Sequence, residues 1–328
     1  MPRSPALRNA DWTALAELQS GVISRGQLMD LGLSAAEAKA DVNTGRWQRI
    51  FPGVYATFTG PMNSLGQVWA AVLYAGNGAA ASHTTTLWLS KLVDEPPNII
   101  DVVIPESRKV LPQMGIRVHR RRGLDSPDRR VIVHPAARPP RLRVEEAVLE
   151  MCGAGTATAA IDLILRSTQR RTTTAERLRR RMAQRPRQPW RALLGEVLAD
   201  IDDGVASPLE QRYRRDVERR HHLPQGACNE VEVQRLGGRW YRDVRYRAWD
   251  VVVELDGREA HPAQGLFRDM RRDNVAVVAG EAVLRYGWRD IVGDPCGVAA
   301  QVCVVLALHG WPGRPVLCCA DCGAGRPR

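Results

Sequence analysis

The first sixty residues alternate between short amphipathic runs and capping residues, in an order that predicts three helices followed by a hairpin. The first run has leucines at helical spacing. Ser24 and Ser34 each precede a further run, and Glu37 follows Ser34 at the capping-box position. Alternation through RWQRIFPGVYAT, with Pro52-Gly53 at its centre, predicts two strands joined by a tight turn. Three helices and a hairpin are the order of a winged helix, whose third helix can enter the major groove of DNA.

The middle of the chain predicts a mixed α/β region that becomes helical. The segments SLGQVWAAVLYAG and ASHTTTLWLSKL predict helices, whereas IIDVVIP and GIRVHRR predict strands. His83, in the second of these helices, has no nucleophile or carboxylate beside it in sequence, so we expect a capping or core histidine. From Val144 to Asp202 the pattern is helical, and one helix carries an arginine run (Arg177, Arg179, Arg180, Arg181). That run is typical either of a solvated face or of a surface that follows a nucleic-acid backbone.

The last third predicts a helix, a β-meander, a further helix or loop, and a strand. SPLEQRYRRDVERRHHLP begins a helix with Pro208 in its first turn and Glu210 near its start. VEVQRLGGRW and YRDVRYRAWD predict strands that return through Asp250 into a buried strand, VVVELDG, and VLRY has strand character. This is the order of a restriction-endonuclease core.

Three carboxylates are predicted to converge at the end of the buried strand: Asp243, Glu254 and Asp256. Ionised carboxylates beside apolar neighbours are costly unless a cation, such as a metal ion or a basic side chain, accompanies them. Mg²⁺ and Mn²⁺ prefer oxygen ligands of this kind. The pattern therefore predicts a metal-dependent phosphodiesterase site.

These patterns together predict an α/β protein of four segments. Residues 1–60 form a winged-helix DNA-binding domain, and residues 61–200 form a mixed α/β and then helical middle region. Residues 201–310 form a restriction-endonuclease-like α/β/α core, and residues 311–328 form a cysteine-containing tail.

The amino-acid composition indicates which kind of partner the protein binds and in which cellular compartment we expect it. The net charge of +11 favours a partner rich in phosphate, such as DNA. Only three residues are lysine, so nearly all of the positive charge comes from arginine. The codon usage of a GC-rich genome produces the same preference. The positive charge is therefore evidence for a phosphate-rich partner, whereas the choice of arginine over lysine is not. No apolar run of about 18 residues is present, so we expect no membrane span. The first residues lack an apolar signal segment, so we expect a cytoplasmic protein.

The seven cysteines are scattered, and a cytoplasmic location argues against structural disulfides. Four of them are predicted as small apolar core residues: Cys152, Cys228, Cys296 and Cys303. The tail CCADC contains one CxxC, Cys319 with Cys322, but no second pair follows and only His309 lies nearby in sequence. We expect a loose, reduced tail, with a zinc site as the alternative.

The segment GVISRGQLMDLGLSAAEAKADVNTGRWQRIFPGVYA resembles the N-terminal domain of AbiEi-family antitoxins from type IV toxin–antitoxin systems. Members of that family carry a winged helix that binds their own promoter. The resemblance implies DNA contacts from Lys39, Arg46 and Arg49, and a cognate toxin as a possible partner. The alternative is that the three helices are only a small packing module.

The segments SPLE, RDVRYRAWDVVVELDG, His261, RRDN and VLRYGWRDI resemble, in order and spacing, the very-short-patch-repair-like branch of the PD-(D/E)XK nuclease superfamily. The resemblance covers about Ser207 to Pro295. It implies that Asp243 and Glu254 ligate Mg²⁺ and that Glu210 completes the metal shell.

The same resemblance extends to further positions. Asp256 stands where most of the superfamily has a lysine, and His261 falls in the active site of the repair branch. Arg272 and Asp273 match an arginine–aspartate pair on the following helix. His261 could exchange a proton with the attacking water or the leaving group, and Arg272 could hold the scissile phosphate. The alternative is a nuclease fold that has lost turnover and binds DNA only, as an antitoxin-like regulator, with Asp256 merely forming a turn.

Overall fold

The computed structural model describes residues 5–127, 129–202, 208–233, 239–256 and 280–325, and side chains over 12–127, 129–201, 208–227, 244–255 and 280–324. The protein is a mixed α/β protein, as predicted. It divides into two compact units, Met1–Met151 and Cys152–Arg328, rather than at residues 60 and 200. Among the described helices, none combines the length and the apolar character needed to cross a bilayer.

The first unit opens with three helices and a three-stranded antiparallel sheet. The elements are α1 (Pro5–Leu18), β1 (Val22–Ser24), α2 (Arg25–Asp30), α3 (Ala35–Asn43), β2 (Gln48–Phe51) and β3 (Val54–Ala56). The strand order is β1-β3-β2, with β3 antiparallel to both neighbours. The helices and the hairpin confirm the predicted order, and α1 begins at Pro5. Strand β1 completes the sheet of a winged helix.

Local hydrogen bonds fix where α2 and α3 begin. Ser24 Oγ accepts from the Gln27 backbone N–H at 3.2 Å, while Gln27 Oε1 accepts from the Ser24 N–H at 3.0 Å. Ser34 and Glu37 repeat this reciprocal capping box. The helices then pack around Trp47, which is 6% exposed and joins a core of buried apolar residues from α1, β1, α2 and α3. The two predicted helix starts are confirmed.

The rest of the first unit is a second small sheet covered by helices. Its elements are α4 (Ser64–Ala75), β4 (Ala80–Ala81), α5 (His83–Leu89), β5 (Ile100–Pro105), β6 (Ile116–Arg121), α6 (Arg129–Ile132) and α7 (Val144–Ala154), the last of which extends three residues past Met151. Strand β5 lies between β4, to which it is antiparallel, and β6, to which it is parallel. Every residue of β5 is buried, and α4 packs on it through an apolar face. Both predicted helices and both predicted strands are present.

The second unit places helices beside a four-stranded sheet. The helices before the sheet are α8 (Ala157–Gln169), α9 (Ala175–Ala183), α10 (Arg191–Asp202) and α11 (Pro208–Tyr213), which continues as a π-helical segment (Arg214–Arg219). The strands are β7 (Ala227–Val233), β8 (Arg239–Tyr246), β9 (Val251–Asp256) and β10 (Ala282–Gly287), and two helices follow, α12 (Trp288–Gly293) and α13 (Pro295–Leu308). The strand order is β10-β9-β8-β7. Strands β7 to β9 form the predicted antiparallel meander, and β10 runs parallel to β9.

Polar contacts join three helices of this unit to one another. Trp288, 1% exposed at the start of α12, donates from its indole N–H to Asp200 on α10 at 2.9 Å. Arg212 on α11 pairs with Glu196 on α10 and lies over the Trp288 ring. The helical segment before residue 200 therefore packs within the same unit as the C-terminal sheet.

Candidate functional site

The pairing of β8 with β9 decides where the predicted acidic residues lie. The two strands are antiparallel, with Tyr246 opposite Val251 and Val244 opposite Val253. Asp243 and Glu254 each lie one residue beyond this last pair, on adjacent strands and toward the same end of the ladder. The side chain of Asp243 lies outside the described side chains. The backbone register therefore brings the positions of Asp243 and Glu254 next to each other on neighbouring strands.

Glu254 has a basic partner within the sheet. It is 8% exposed, and its Oε2 atom accepts from Nε of Arg285 at 3.0 Å. Arg285 lies directly across from Glu254 on the parallel strand β10. The carboxylate that the sequence predicted to need a cation thus has a guanidinium beside it, which offsets the cost of burying its charge.

Glu210 lies on α11, which a hydrogen bond joins to β8. It is 9% exposed, and one turn further along α11 the hydroxyl of Tyr213 lies 2.9 Å from that of Tyr246 on β8. Tyr246 in turn donates to Glu218 at 2.8 Å. Burial is the largest influence on Glu218 and raises its pKa above the usual value. This buried chain of hydrogen bonds holds the helix of Glu210 against the sheet of Asp243 and Glu254.

The remaining predicted catalytic residues lie at or beyond the end of β9. Asp256 is the last residue of β9, and its side chain lies outside the described side chains. His261, Arg272 and Asp273 lie outside the described residues altogether. Their roles remain what the resemblance implies.

The predicted DNA-contacting residues are all on the surface of the winged helix. Lys39 is exposed on α3, and Arg49 is exposed on β2. Arg46, whose side chain is 69% exposed, forms an ion pair with Asp41 at the end of α3. Part of the positive charge of Arg46 is therefore already balanced within the protein, whereas Lys39 and Arg49 present theirs to solvent.

The arginine run on α9 lies on its solvent side. Leu178 and Met182 of this helix are buried, while Arg177, Arg179 and Arg180 are exposed. An exposed row of arginines is compatible both with a solvated helix face and with a surface that follows a nucleic-acid backbone.

His83 has carboxylate neighbours that its sequence position did not reveal. Its ring stacks on that of His119 at 3.8 Å, and Nδ1 lies 3.6 Å from Glu150 Oε2. On the other side of the stack, His119 Nε2 lies 2.9 Å from Asp101 Oδ1. Burial first, and then the nearby His119, lower the pKa of His83 to about 4, although Asp101 opposes the shift. The imidazole is therefore neutral near pH 7. His83 is the first residue of α5 and is half-buried, and its carboxylate neighbours come from other elements of the fold.

The C-terminal cysteines correct two predictions. The tail is not loose, because Cys322 is 5% exposed and a short 3₁₀ turn, Gly323–Gly325, packs against α13. Cys296 is not a core residue but lies half-buried with its sulfur 3.5 Å from that of Cys318. Cys152 and Cys303 are buried, as predicted, and the side chain of Cys228 is not described. The sequence pattern did not predict this cluster, because its residues (His221, Cys296, and Cys318 with Cys322) lie in three separate segments of the chain.

Comparison with known proteins does not place the chain in a family. No family model matches it, and no curated protein matches it. Among solved structures, it is similar to the RV2827C protein from Mycobacterium tuberculosis, with a TM-score of 0.37 and 16% identity, covering 63% of this chain and 85% of that chain. Function must therefore be argued from this chain's own residues.

Proposed function

We propose that this chain is a DNA-binding protein whose C-terminal sheet carries a Mg²⁺- or Mn²⁺-dependent endonuclease site. The register of β8 and β9 supports this proposal most directly, because it puts the positions of Asp243 and Glu254 side by side on adjacent strands. Buried Glu210, on the helix that the Tyr213–Tyr246 hydrogen bond joins to β8, would supply a third carboxylate from a separate element.

The side chains fit a hard divalent cation. All three proposed ligands, Asp243, Glu254 and Glu210, offer carboxylate oxygens, which such cations prefer. The contact from Arg285 does not prevent Glu254 from serving as a ligand, because an ionised carboxylate accepts several bonds at once. A bound divalent cation would neutralise charge on the scissile phosphate and make bound water more acidic.

The chain's own residues would supply the remaining chemistry. His261 would exchange a proton with the attacking water or the leaving oxygen, since a histidine near its ordinary pKa does either at neutral pH. Arg272, which precedes Asp273 in the sequence, would orient the phosphate through its planar guanidinium. Asp256 stands where most of the superfamily that the chain resembles has a lysine, so Arg272 or Arg285 would supply the side-chain positive charge beside the metal ion.

The winged helix would bring the enzyme to DNA. Lys39 on α3 and Arg49 on β2 are exposed on the two elements that contact nucleic acid in winged helices, and the chain carries a net charge of +11. Phosphate contacts from such residues position a protein on DNA without specifying sequence.

One observation favours a second function, that of an antitoxin-like transcriptional regulator with an inactive nuclease-fold domain. Arg285 already provides Glu254 with a compensating charge, so the fold does not depend on a metal ion at this carboxylate. In that account the winged helix binds a promoter, and the partner is a cognate toxin.

A cleavage assay on supercoiled plasmid separates the two functions. The endonuclease proposal predicts nicking with Mg²⁺ or Mn²⁺ that Asp243→Ala and Glu254→Ala both abolish. Glu281→Gln is the matched control, because Glu281 is a buried carboxylate that pairs with Arg245 at the other end of the β9–β10 pair. If the wild-type protein shifts DNA in gels yet cuts no substrate with either metal, the regulator account replaces the enzyme.

A further inference from the structure

Four metal-binding side chains meet beside α13, outside the proposed nuclease site. They are His221, Cys296, Cys318 and Cys322, and their ligand atoms all lie within 4.8 Å of one another. Among the described residues, these four form the one group of histidine, cysteine or carboxylate side chains whose ligand atoms are close enough to share an ion. One imidazole and three thiols form a donor set typical of zinc.

Packing brings the four residues together from distant parts of the chain. The π-helical segment Arg214–Arg219, which precedes His221, packs against α13, and Cys296 lies in the first turn of α13. The backbone N–H of Val316 donates to the carbonyl of His221 at 2.9 Å and so attaches the C-terminal segment beside it. A turn between Cys319 and Cys322, closed by a backbone hydrogen bond of 3.1 Å, returns Cys322 toward Cys318.

The sulfur spacing suits a shared ion and not a disulfide. Cys318 Sγ lies 3.5 Å from Cys296 Sγ and 3.7 Å from Cys322 Sγ. Around tetrahedral Zn²⁺ with Zn–S bonds of about 2.3 Å, neighbouring sulfurs lie roughly 3.8 Å apart. A disulfide requires about 2.0 Å and joins only two sulfurs. Cys318 lies close to three other thiols, those of Cys296, Cys319 and Cys322, which is the position of one ligand among several and not of one half of a disulfide.

His221 is oriented as a metal ligand. Its Nδ1 lies 3.0 Å from the carbonyl oxygen of Val217, which can only accept, so Nδ1 carries the proton and Nε2 has the lone pair. His221 is fully buried, and no hydrogen bond to Nε2 is present among the described residues. A backbone carbonyl that fixes the tautomer in this way is the usual second partner of a zinc-bound histidine.

The C-terminal segment needs such an anchor. Between α13 and the 3₁₀ turn Gly323–Gly325, residues 311–322 contain no helix or strand, and Val316 and Leu317 are about half exposed. A segment that buries so little apolar surface gains little from packing. Cys322, in contrast, is 5% exposed.

We infer that His221, Cys296, Cys318 and Cys322 bind one Zn²⁺. This structural site holds the C-terminal segment, residues 311–322, against the rest of the second unit. Four protein ligands complete a tetrahedral shell and leave no position for a reacting water, so the site is structural and not catalytic. The sulfur of Cys319 also lies 3.7 Å from that of Cys318, but Cys319 is exposed and does not belong to the group of four whose ligand atoms all lie close together, so we exclude it. The spacing used is therefore Cys318-x₃-Cys322 and not the CxxC of Cys319 and Cys322.

Metal analysis of the full-length protein, purified without chelators, tests this inference. We expect one zinc per chain in the wild type and in the matched control Cys319→Ser, and loss of that zinc in Cys318→Ser. With zinc bound, a thiol reagent should leave Cys296, Cys318 and Cys322 unmodified until a chelator is added. Full zinc retention in Cys318→Ser would overturn the assignment.

A second measurement does not depend on whether the variant folds. Co²⁺ titrated into the metal-stripped wild type should give the intense visible bands of a tetrahedral thiolate site, and added Zn²⁺ should remove them. The inference fails if reduced wild-type protein retains no zinc and gives no such bands. It also fails if mass spectrometry finds Cys296 and Cys318 joined as a disulfide in the native, metal-free protein.

Discussion

Arg285 and Glu254 lie directly opposite each other on two parallel strands, and Arg285 Nε donates to Glu254 Oε2 at 3.0 Å. The Glu254 side chain is 11% exposed and that of Arg285 39% exposed, so the pair lies at the border between core and surface. The proposed cation ligand thus already has a cationic protein group hydrogen-bonded to it. Any metal at this site adds to that pair and does not replace it.

Arg285→Ala should destabilise the protein and make it more responsive to metal. Removing one partner leaves a nearly buried carboxylate without that cation, so we expect the free energy of unfolding to fall by about 1–3 kcal/mol. Because Mg²⁺ would then provide the missing charge, it should stabilise the variant more than the wild type in urea unfolding. Arg285→Lys, which keeps a cation, is the control. Equal Mg²⁺ effects in all three proteins would argue against Glu254 as a ligand.

Local signals in the sequence predicted much of the fold. The capping boxes at Ser24 and Ser34 fix helix starts through neighbours in sequence, so they can be read directly. Asp250 has a φ of 50°, in the left-handed region that aspartate tolerates, and forms the predicted return between β8 and β9. Strand β1 was missed because its three residues form a strand only by pairing with β3.

The sites were harder to predict because they depend on distant contacts. Glu254 was found from its place in an apolar strand, but its partner Arg285 lies 31 residues away and is recognisable only from the strand pairing. His221 was missed as a ligand because its nearest cysteine in the group follows 75 residues later, at Cys296. Helix α13 was missed because it is apolar on most sides and shows little amphipathic periodicity.

Asp200→Ala should weaken the contact between α10 and α12. Without the carboxylate, the buried indole N–H of Trp288 loses its acceptor, and we expect the free energy of unfolding to fall by about 1–3 kcal/mol. Asp200→Asn keeps an acceptor oxygen and should lose clearly less in the same denaturant titration. If the two variants lose the same amount, the charge of Asp200 matters and the hydrogen bond to Trp288 does not.

Stability should depend on pH through His83. The pKa of this imidazole is about 4 in the folded protein, chiefly because of burial, against 6.5 as the ordinary value. The unfolded chain therefore takes up the proton first as the pH falls. The contribution of His83 is fully present above pH 6.5 and is lost progressively as the pH falls toward 4.

His83→Asn isolates this contribution. His83 has a φ of 45°, a conformation that asparagine tolerates, so the replacement fits the backbone. The other charged and titratable groups around the ring are present in both proteins: Asp101, Arg117, His119, Arg121 and Glu150. Unfolding measured from pH 6.5 to 4 should show a smaller loss for the variant, and parallel curves would refute the assignment.

Removing Lys39 or Arg49 should weaken DNA binding in a salt-dependent way. Each phosphate contact that is lost should lower the slope of log affinity against log salt by about 1. Arg46→Ala should have a smaller effect, because Arg46 already pairs with Asp41. Lys91→Ala, an exposed lysine of the same unit outside the winged helix, is the control for net charge. Identical effects at Lys39 and Lys91 would mean that the winged helix is not the DNA-binding surface.

Crystallographic location of Mn²⁺ by anomalous scattering tests the central claim most directly, namely that carboxylates from β8, β9 and α11 share one divalent cation. In crystals soaked with Mn²⁺, we predict an anomalous peak bound by Glu254 and Asp243, absent in Glu254→Gln and present in Glu281→Gln. A wild-type crystal with fully ordered Asp243, Glu254 and Glu210 side chains and no Mn²⁺ peak between them would contradict the account.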